Sequence, residues 1–222
     1  MKLTDYLRPA GLALLLLSGS LCRAGIIYDF SLNTSPLIGH AAGPFSLGFQ
    51  FNDGSGAGDA NNTAVLSNFQ FGVGGSFAGV PTLVGGATGS LASGVTFTDS
   101  SFLNAFMQPF NPGSLLQFRL QTSTNLDAGV TPDEFSFSIL DNTLSELPTL
   151  GFFDVFVVLD IDSANPVPQA FGSDPSRPPQ GGGSGITMAA PDVTLATPEP
   201  GSFILLGIGL IFQMSRRFRF RS

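Results

Sequence analysis

The chain has 222 residues, with 22 Phe, no Trp, one Cys and one His. Its charges are segregated: Lys2, Arg8 and Arg23 precede residue 25, Arg216, Arg217, Arg219 and Arg221 close the chain, and only Arg119 and Arg177 lie between. Residues 25–197 therefore carry fourteen acids against two arginines, a net charge of −12, which repels phosphate backbones and argues against nucleic acid as a partner.

The first 24 residues, MKLTDYLRPAGLALLLLSGSLCRA, place basic Lys2 and Arg8 before an apolar stretch at 10–17, then small residues and a Cys-Arg-Ala site ending at Ala24. This is the order of a Sec-type signal peptide, with a short helical core and cleavage after Ala24, delivered to the Sec translocon. The apolar stretch is about half of the ~20 residues that a retained membrane helix requires. Leu21 stands before Cys22 where a lipoprotein signal has a small residue. Cleavage after Ala24 removes the only thiol, so the mature chain has neither disulfide nor thiol chemistry.

From residue 25 onward, short apolar-alternating runs are separated by Gly, Asn, Asp, Ser and Pro: GIIYDFSLN, PFSLGFQFN, AVLSNFQFGV, GVTFTD, SLLQFRLQT, EFSFSIL and FFDVFVVLDI. In PFSLGFQFN, Phe45, Leu47, Phe49 and Phe51 take every second place and share one face of a strand, as do Phe135, Phe137 and Ile139 in EFSFSIL. FFDVFVVLDI is apolar on both faces apart from Asp154 and Asp160, which predicts a strand near the middle of a sheet. No segment here sustains a 3.6-residue period, and the glycines penalise a helix at many positions. The class is all-β: roughly seven to ten short strands over 25–162, forming an antiparallel β-sandwich or jelly roll. A closed barrel is the alternative, because alternation does not fix closure. Phe abundance suits a sugar-stacking surface or a packed core, and the alternation assigns most of it to the core, since Phe buries a large area without needing a hydrogen-bond partner.

Residues 163–197 change texture to SANPVPQAFGSDPSRPPQGGGSGITMAAP and beyond, where proline and a triple glycine predict a linker. A last strand within 186–195 either returns to the sheet, making the linker an excursion inside the domain, or is absent, making it a stalk.

Catalytic equipment is scarce. After processing, His40 is the only histidine and no lysine or cysteine is left, so a Ser-His-Asp arrangement has to use His40, which sits in LIGHAAG with no nucleophile elbow near it. The same count excludes His- or Cys-rich metal sites. Calcium takes oxygen ligands, and NDGSGAGDANNT gathers Asn52, Asp53, Ser55, Asp59, Asn61 and Asn62. An EF-hand fails, because Ser55, Ala57 and Ala64 stand where ligands belong. An irregular site uses Asp53 and Asp59, joined by Asp160 and Asp162 if the fold brings them close; solvated turn residues are the alternative. Paired carboxylates for glycoside hydrolysis are a matter of spatial separation, and the sequence marks no pair. GVGGSFAG lacks the Lys-Ser/Thr ending of a P-loop. The expectation is a protein that is not an enzyme and has no cofactor, with calcium the one candidate.

The tail explains the segregated arginines. Pro198 and Pro200 keep Pro-Glu-Pro extended. Residues 202–214 are uncharged and mostly apolar, and as a helix reach about 20 Å, short of a ~30 Å hydrocarbon core. Snorkelling by Arg216 and Arg217 lengthens this reach, and the arginines keep the terminus on the cytoplasmic side. Pro198, Glu199 and Pro200, the apolar helix 201–214 and the cluster Arg216, Arg217, Arg219 and Arg221 together resemble the PEP-CTERM sorting signal of Gram-negative bacteria, here spanning 198–222. The stretches TSPLIGHAAGPFSLGFQFNDGSG and NNTAVLSNFQFGVGG look like those of a β-rich group of such sorted proteins that brings no known site residues. The resemblance implies recognition by an exosortase, transient anchoring in the inner membrane, and a mature form at the cell surface or in the extracellular matrix of a bacterium that makes exopolysaccharide and biofilm. The function expected is that of a surface or matrix protein associated with exopolysaccharide, or alternatively a lectin-like, calcium-assisted carbohydrate-binding or adhesin domain.

Overall fold

The structure, a computed structural model, describes residues 25–54, 56, 58–123, 125, 131–161 and 166–196. The signal segment with its cleavage site after Ala24, the sorting motif Pro198–Pro200, the apolar helix 201–214, the terminal arginines and Asp162 lie outside the described residues. Among those described, no helix is long and apolar enough to cross a membrane.

Thirteen strands are formed by the described residues: β1 (Ile26–Leu32), β2 (Phe45–Asn52), β3 (Thr63–Gln70), β4 (Ser76–Phe77), β5 (Thr82–Val84), β6 (Thr88–Ser90), β7 (Gly94–Thr98), β8 (Leu103–Asn111), β9 (Leu116–Thr122), β10 (Glu134–Leu140), β11 (Val157–Asp160), β12 (Gln169–Ala170) and β13 (Asp192–Ala196). Alternation alone leaves β4, β5, β6, β8 and β12 unread: β4, β5, β6 and β12 are two or three residues long, too short to carry a period, and the inward positions of β8 include the polar Asn104 and Gln108 beside Phe106 and Phe110. The first sheet runs β13-β1-β9-β3-β7-β6; the second runs β12-β11-β10-β2-β8-β4, with β5 also paired to β8. Antiparallel pairs are nested, β1 with β9, β2 with β8 and β3 with β7. A long hairpin wound in this way places partners alternately in two sheets, which is the jelly-roll form of an antiparallel β-sandwich.

The side-chain alternation explains why the sheets close on each other. Phe45, Leu47, Phe49 and Phe51 of β2 and Phe135, Phe137 and Ile139 of β10 face inward, meeting Tyr28, Phe30 and Leu32 of β1 and Leu116, Phe118 and Leu120 of β9. Phe49 stacks on Phe137 at 5.1 Å and meets Phe118 edge-on at 5.4 Å, so rings from both sheets interlock. Aromatic pairs in these geometries add about 0.5–1.5 kcal/mol each beyond the area they bury. On the outer face of the first sheet, Asp29 and Arg119 stand opposite each other in the β1–β9 pair and form a two-pronged ion pair at 2.7 and 2.8 Å.

FFDVFVVLDI does not form a central strand. Phe152–Asp154 is a 3-10 turn with Phe152 and Phe153 turned to solvent, and only Val157–Asp160 is strand, one place from the sheet edge. The Pro/Gly-rich stretch is an excursion inside the sandwich and not a stalk. Ile186 and Met188 are buried, the Ser173 hydroxyl donates to Ile186 O at 2.7 Å, and β13 then pairs with β1. Ala196 lies opposite Ile27. The described residues thus begin and end at the same end of one strand pair.

Candidate functional site

The outer face of the second sheet carries a trough. Side chains pointing outward along its centre are small or polar: Ser136 and Ser138 on β10, Gln50 and Asn52 on β2, and Ala105 on β8, with Gly48 between. A side chain at Gly48 would collide with Leu140 and the Ser138 hydroxyl, so the floor there stays low. One half, about 410 Å³, reaches from Gln50 and Asn52 across Glu134 and Val158 to Gln169 and Phe171. The other, about 220 Å³, continues over Ala105 and Met107 to Thr82 and Val84. Gln50 and Glu146 line both halves, joining them into one groove that runs across the strands.

Two turns build its walls. Asp141 ends β10 and organises the first: its Oδ1 accepts from Thr143 N and Oγ1 and from Ser145 N, and its Oδ2 accepts from Gly181 N. Burial pushes this carboxyl up, but the hydrogen bonds outweigh burial and hold it below the usual carboxylate range. The turn delivers Glu146 to the groove, where the Ser138 hydroxyl favours its charged form. The second wall is the Phe152–Asp154 turn. Phe153 and Asp154 both adopt left-handed backbone, with φ of 62° and 52°. Such conformations cost bulky residues about 1 kcal/mol or more each and persist only where surroundings hold them. Asp154 is held by Thr149 N at 3.0 Å and by both terminal nitrogens of Arg177, at 2.5 and 3.1 Å, while Arg177 Nε donates to Asp174. The result is two rings, 85% and 83% exposed, at the groove wall.

Glu134 and Glu146 are half-buried. Burial, with Asp160 facing Glu134 and Asp154 near Glu146, pushes both carboxyls up, and the Ser138 hydroxyl partly offsets this at Glu146. Glu146 bridges to Leu140, at the opposite end of β10 from Glu134, and both side chains line the same half of the groove.

The residues singled out by sequence lie elsewhere. Asp53, fully buried, accepts from Gly56 N and Gly58 N and so shapes its own loop; Asp59 is exposed and caps Asn61. Asp160 pairs in register with Glu134, next to buried Asp133, so β11 does arrive at the same end of the sandwich as Asp53. His40 uses Nδ1 to accept from Ala42 N and Nε2 to reach Ser184 O at 3.1 Å, clipping two loops together. Glu134, Glu146, Phe152 and Phe153 form the groove without any motif to mark them; the one signal available was FF followed by an acid, a pair too apolar for a surface turn unless it serves there.

At the Asp53 end, Asp99 is fully buried and pushed up to about 6, by burial first and then by Asp133 and Asp59, against the hydrogen bond from Asn62 N. A carboxyl raised from 3.8 in the unfolded chain to about 6 binds its proton more tightly when folded, so its contribution to stability is full below pH ~4 and is lost as pH rises to ~6. Glu134 and Glu146 act in the same direction, whereas Asp29, Asp141, Asp154 and Asp174, all lowered, contribute stability that is lost as pH falls below the ordinary carboxylate range. Melting temperatures between pH 4 and 6 in metal-free buffer are therefore expected to decline for the natural chain and to decline less for Asp99→Asn; equal slopes would show that Asp99 does not titrate in this window.

The fold and groove define a jelly-roll sandwich with an open, solvent-facing cleft, and the described chain ends with β13. The model of the PEP-CTERM protein-sorting motif matches residues 196–219, so the chain carries this signal and is an exported protein sorted by exosortase. No curated protein and no solved structure matches the chain.

Proposed function

We propose that this is a non-enzymatic protein of the cell surface or extracellular matrix whose sandwich domain binds exopolysaccharide in the groove of the second sheet. The groove carries this reading. A sugar ring offers an apolar C–H face and an edge of hydroxyls. Phe152 and Phe153 supply apolar faces, and Gln50, Asn52, Glu134, Glu146 and Gln169 supply donors and acceptors along the floor and walls. The groove is shallow and continuous across several strands, which suits a stretch of polymer better than a single small molecule. The net charge of −12 over residues 25–197 disfavours uronate-rich or sulfated chains and favours neutral or amino sugars. The sorting signal supports the location, because a tail that ends at the inner membrane releases or transfers the domain on its outer side, where the polysaccharide is.

Affinity electrophoresis of the purified full chain in mild detergent tests this. Mobility is expected to fall in gels containing neutral or amino-sugar polysaccharide and to stay unchanged in gels containing a uronate polymer. Unchanged mobility in all of them, including the producing organism's own exopolysaccharide, would contradict the reading.

A further inference from the structure

Where β2, β3, β7 and β10 end together, Asp53, Asn62, Asp99 and Asp133 are all fully buried. Burying carboxylates is costly unless a cation or sufficient donors meet them. Residues 25–196 contain no lysine, and the two arginines are engaged elsewhere, Arg119 on Asp29 and Arg177 on Asp154 and Asp174. Asp53 and Asp133 are served by donors: Asp53 by Gly56 N and Gly58 N, Asp133 by Gly54 N on one oxygen and Asn62 Nδ2 on the other. Asp99 is served on one side only. Its Oδ2 accepts from Asn62 N at 2.9 Å, while Oδ1 is buried and accepts from nothing. The carboxylates that act on Asp99 are Asp133 and, from the exposed loop, Asp59. A buried anion oxygen without a donor, among other anions and without a positive side chain, is the environment that a metal ion completes.

We propose that this end of the sandwich binds a divalent cation, calcium by its ligand chemistry, with Asp99 Oδ1 as the fixed inner ligand and Asp59 as the outer ligand supplied by the loop. Oxygen-only donors and an irregular geometry suit calcium, whereas magnesium demands a near-ideal octahedron and zinc prefers nitrogen and sulfur. Among the described residues, no three acidic, His or Cys side chains already converge on one point. The site is therefore half-built. Asp59 bonds only to Asn61 of its own turn, through Asn61 N at 3.2 Å and Nδ2 at 2.9 Å, and lies exposed, so it can turn inward; water and neutral oxygens complete the shell. Asp53 shapes the loop that carries Asp59. The proposal is independent of the groove, which lies on the outer face of the second sheet.

Calorimetric titration and thermal melting of the full chain in mild detergent, stripped with chelator and then given calcium or magnesium chloride alone, test it. Calcium is expected to bind with one-to-one stoichiometry and, at about 100 times its Kd, to raise the melting temperature by roughly 5 °C or more; magnesium should bind at least tenfold more weakly. Asp99→Asn replaces the unpartnered oxygen by an isosteric amide, so its metal-free form should melt no lower than the natural chain while the calcium shift disappears. Asp59→Asn, exposed and structurally neutral, should leave the metal-free melt unchanged and weaken calcium about tenfold, and it decides the question if Asp99→Asn fails to fold. Absence of both heat and melting shift in the natural chain, or an undiminished calcium response in Asp59→Asn, would overturn the proposal.

Discussion

Phe49→Ala is expected to destabilise the sandwich by about 3–5 kcal/mol, the range for truncating a fully buried Phe. Phe49 is completely buried on β2, a central strand of the second sheet, and its ring meets Phe106, Phe135 and Phe137 within that sheet and Phe69 and Phe118 from the other. Five rings cannot all move to fill the space, because each is set by its own strand register, so most of the cavity stays open. No disulfide shares the load: the only cysteine, Cys22, precedes the folded domain. The same measurement on Arg119→Ala supplies the contrast, since a solvent-screened ion pair whose side chains are about 40% exposed adds little to stability. Urea unfolding of the three proteins gives the comparison; a loss below 1 kcal/mol for Phe49→Ala would mean that the phenylalanine cluster does not hold the sheets together.

Removing both groove rings, Phe152→Ala with Phe153→Ala, should leave stability almost unchanged and weaken polysaccharide binding about tenfold or more. The two rings are nearly fully exposed, so folding gains little from them, whereas two aromatic contacts at about 0.5–1.5 kcal/mol each correspond to that loss of affinity. Phe102, 66% exposed and outside the groove, is the control: Phe102→Ala should bind as the natural chain does. Equal retention of all three proteins in the polysaccharide gel would separate the exposed rings from binding. The position of the rings depends on Arg177, which is why one of the only two arginines in the exported domain belongs to this wall and not to the charge balance of the surface.

Much of the fold was legible because a strand buried on one face writes its period into the sequence. Phe45, Leu47, Phe49 and Phe51 could occupy one face in no other regular structure, and the same argument held for β9 and β10. FFDVFVVLDI misled for a physical reason. Apolar content alone does not distinguish a buried strand from two rings displayed on a turn, and what decides here is a contact 23 residues away in sequence, Arg177 with Asp154. The composition of the Pro/Gly-rich stretch reveals neither β12 within it nor that Ile186 and Met188 anchor it to the core. The groove was illegible because its floor comes from outward positions on separate strands. Ser136, Gln50 and Ala105 become neighbours only through sheet pairing, and Glu146 joins them through the Asp141 turn. At the opposite extreme, the sorting signal needed no fold to be read, because its meaning lies in the local order of Pro-Glu-Pro, apolar run and arginines.

Two-dimensional NMR of the labelled full chain in mild detergent, titrated with oligosaccharides cut from the producing organism's exopolysaccharide, tests the proposed binding surface most directly. The account predicts shifts at the backbone amides of Gln50, Glu134, Ser136 and Gln169 and at the rings of Phe152 and Phe153, with the outer face of the first sheet around Asp29 and Arg119 unmoved. Shifts confined to that opposite face, or none at saturating oligosaccharide, would contradict it.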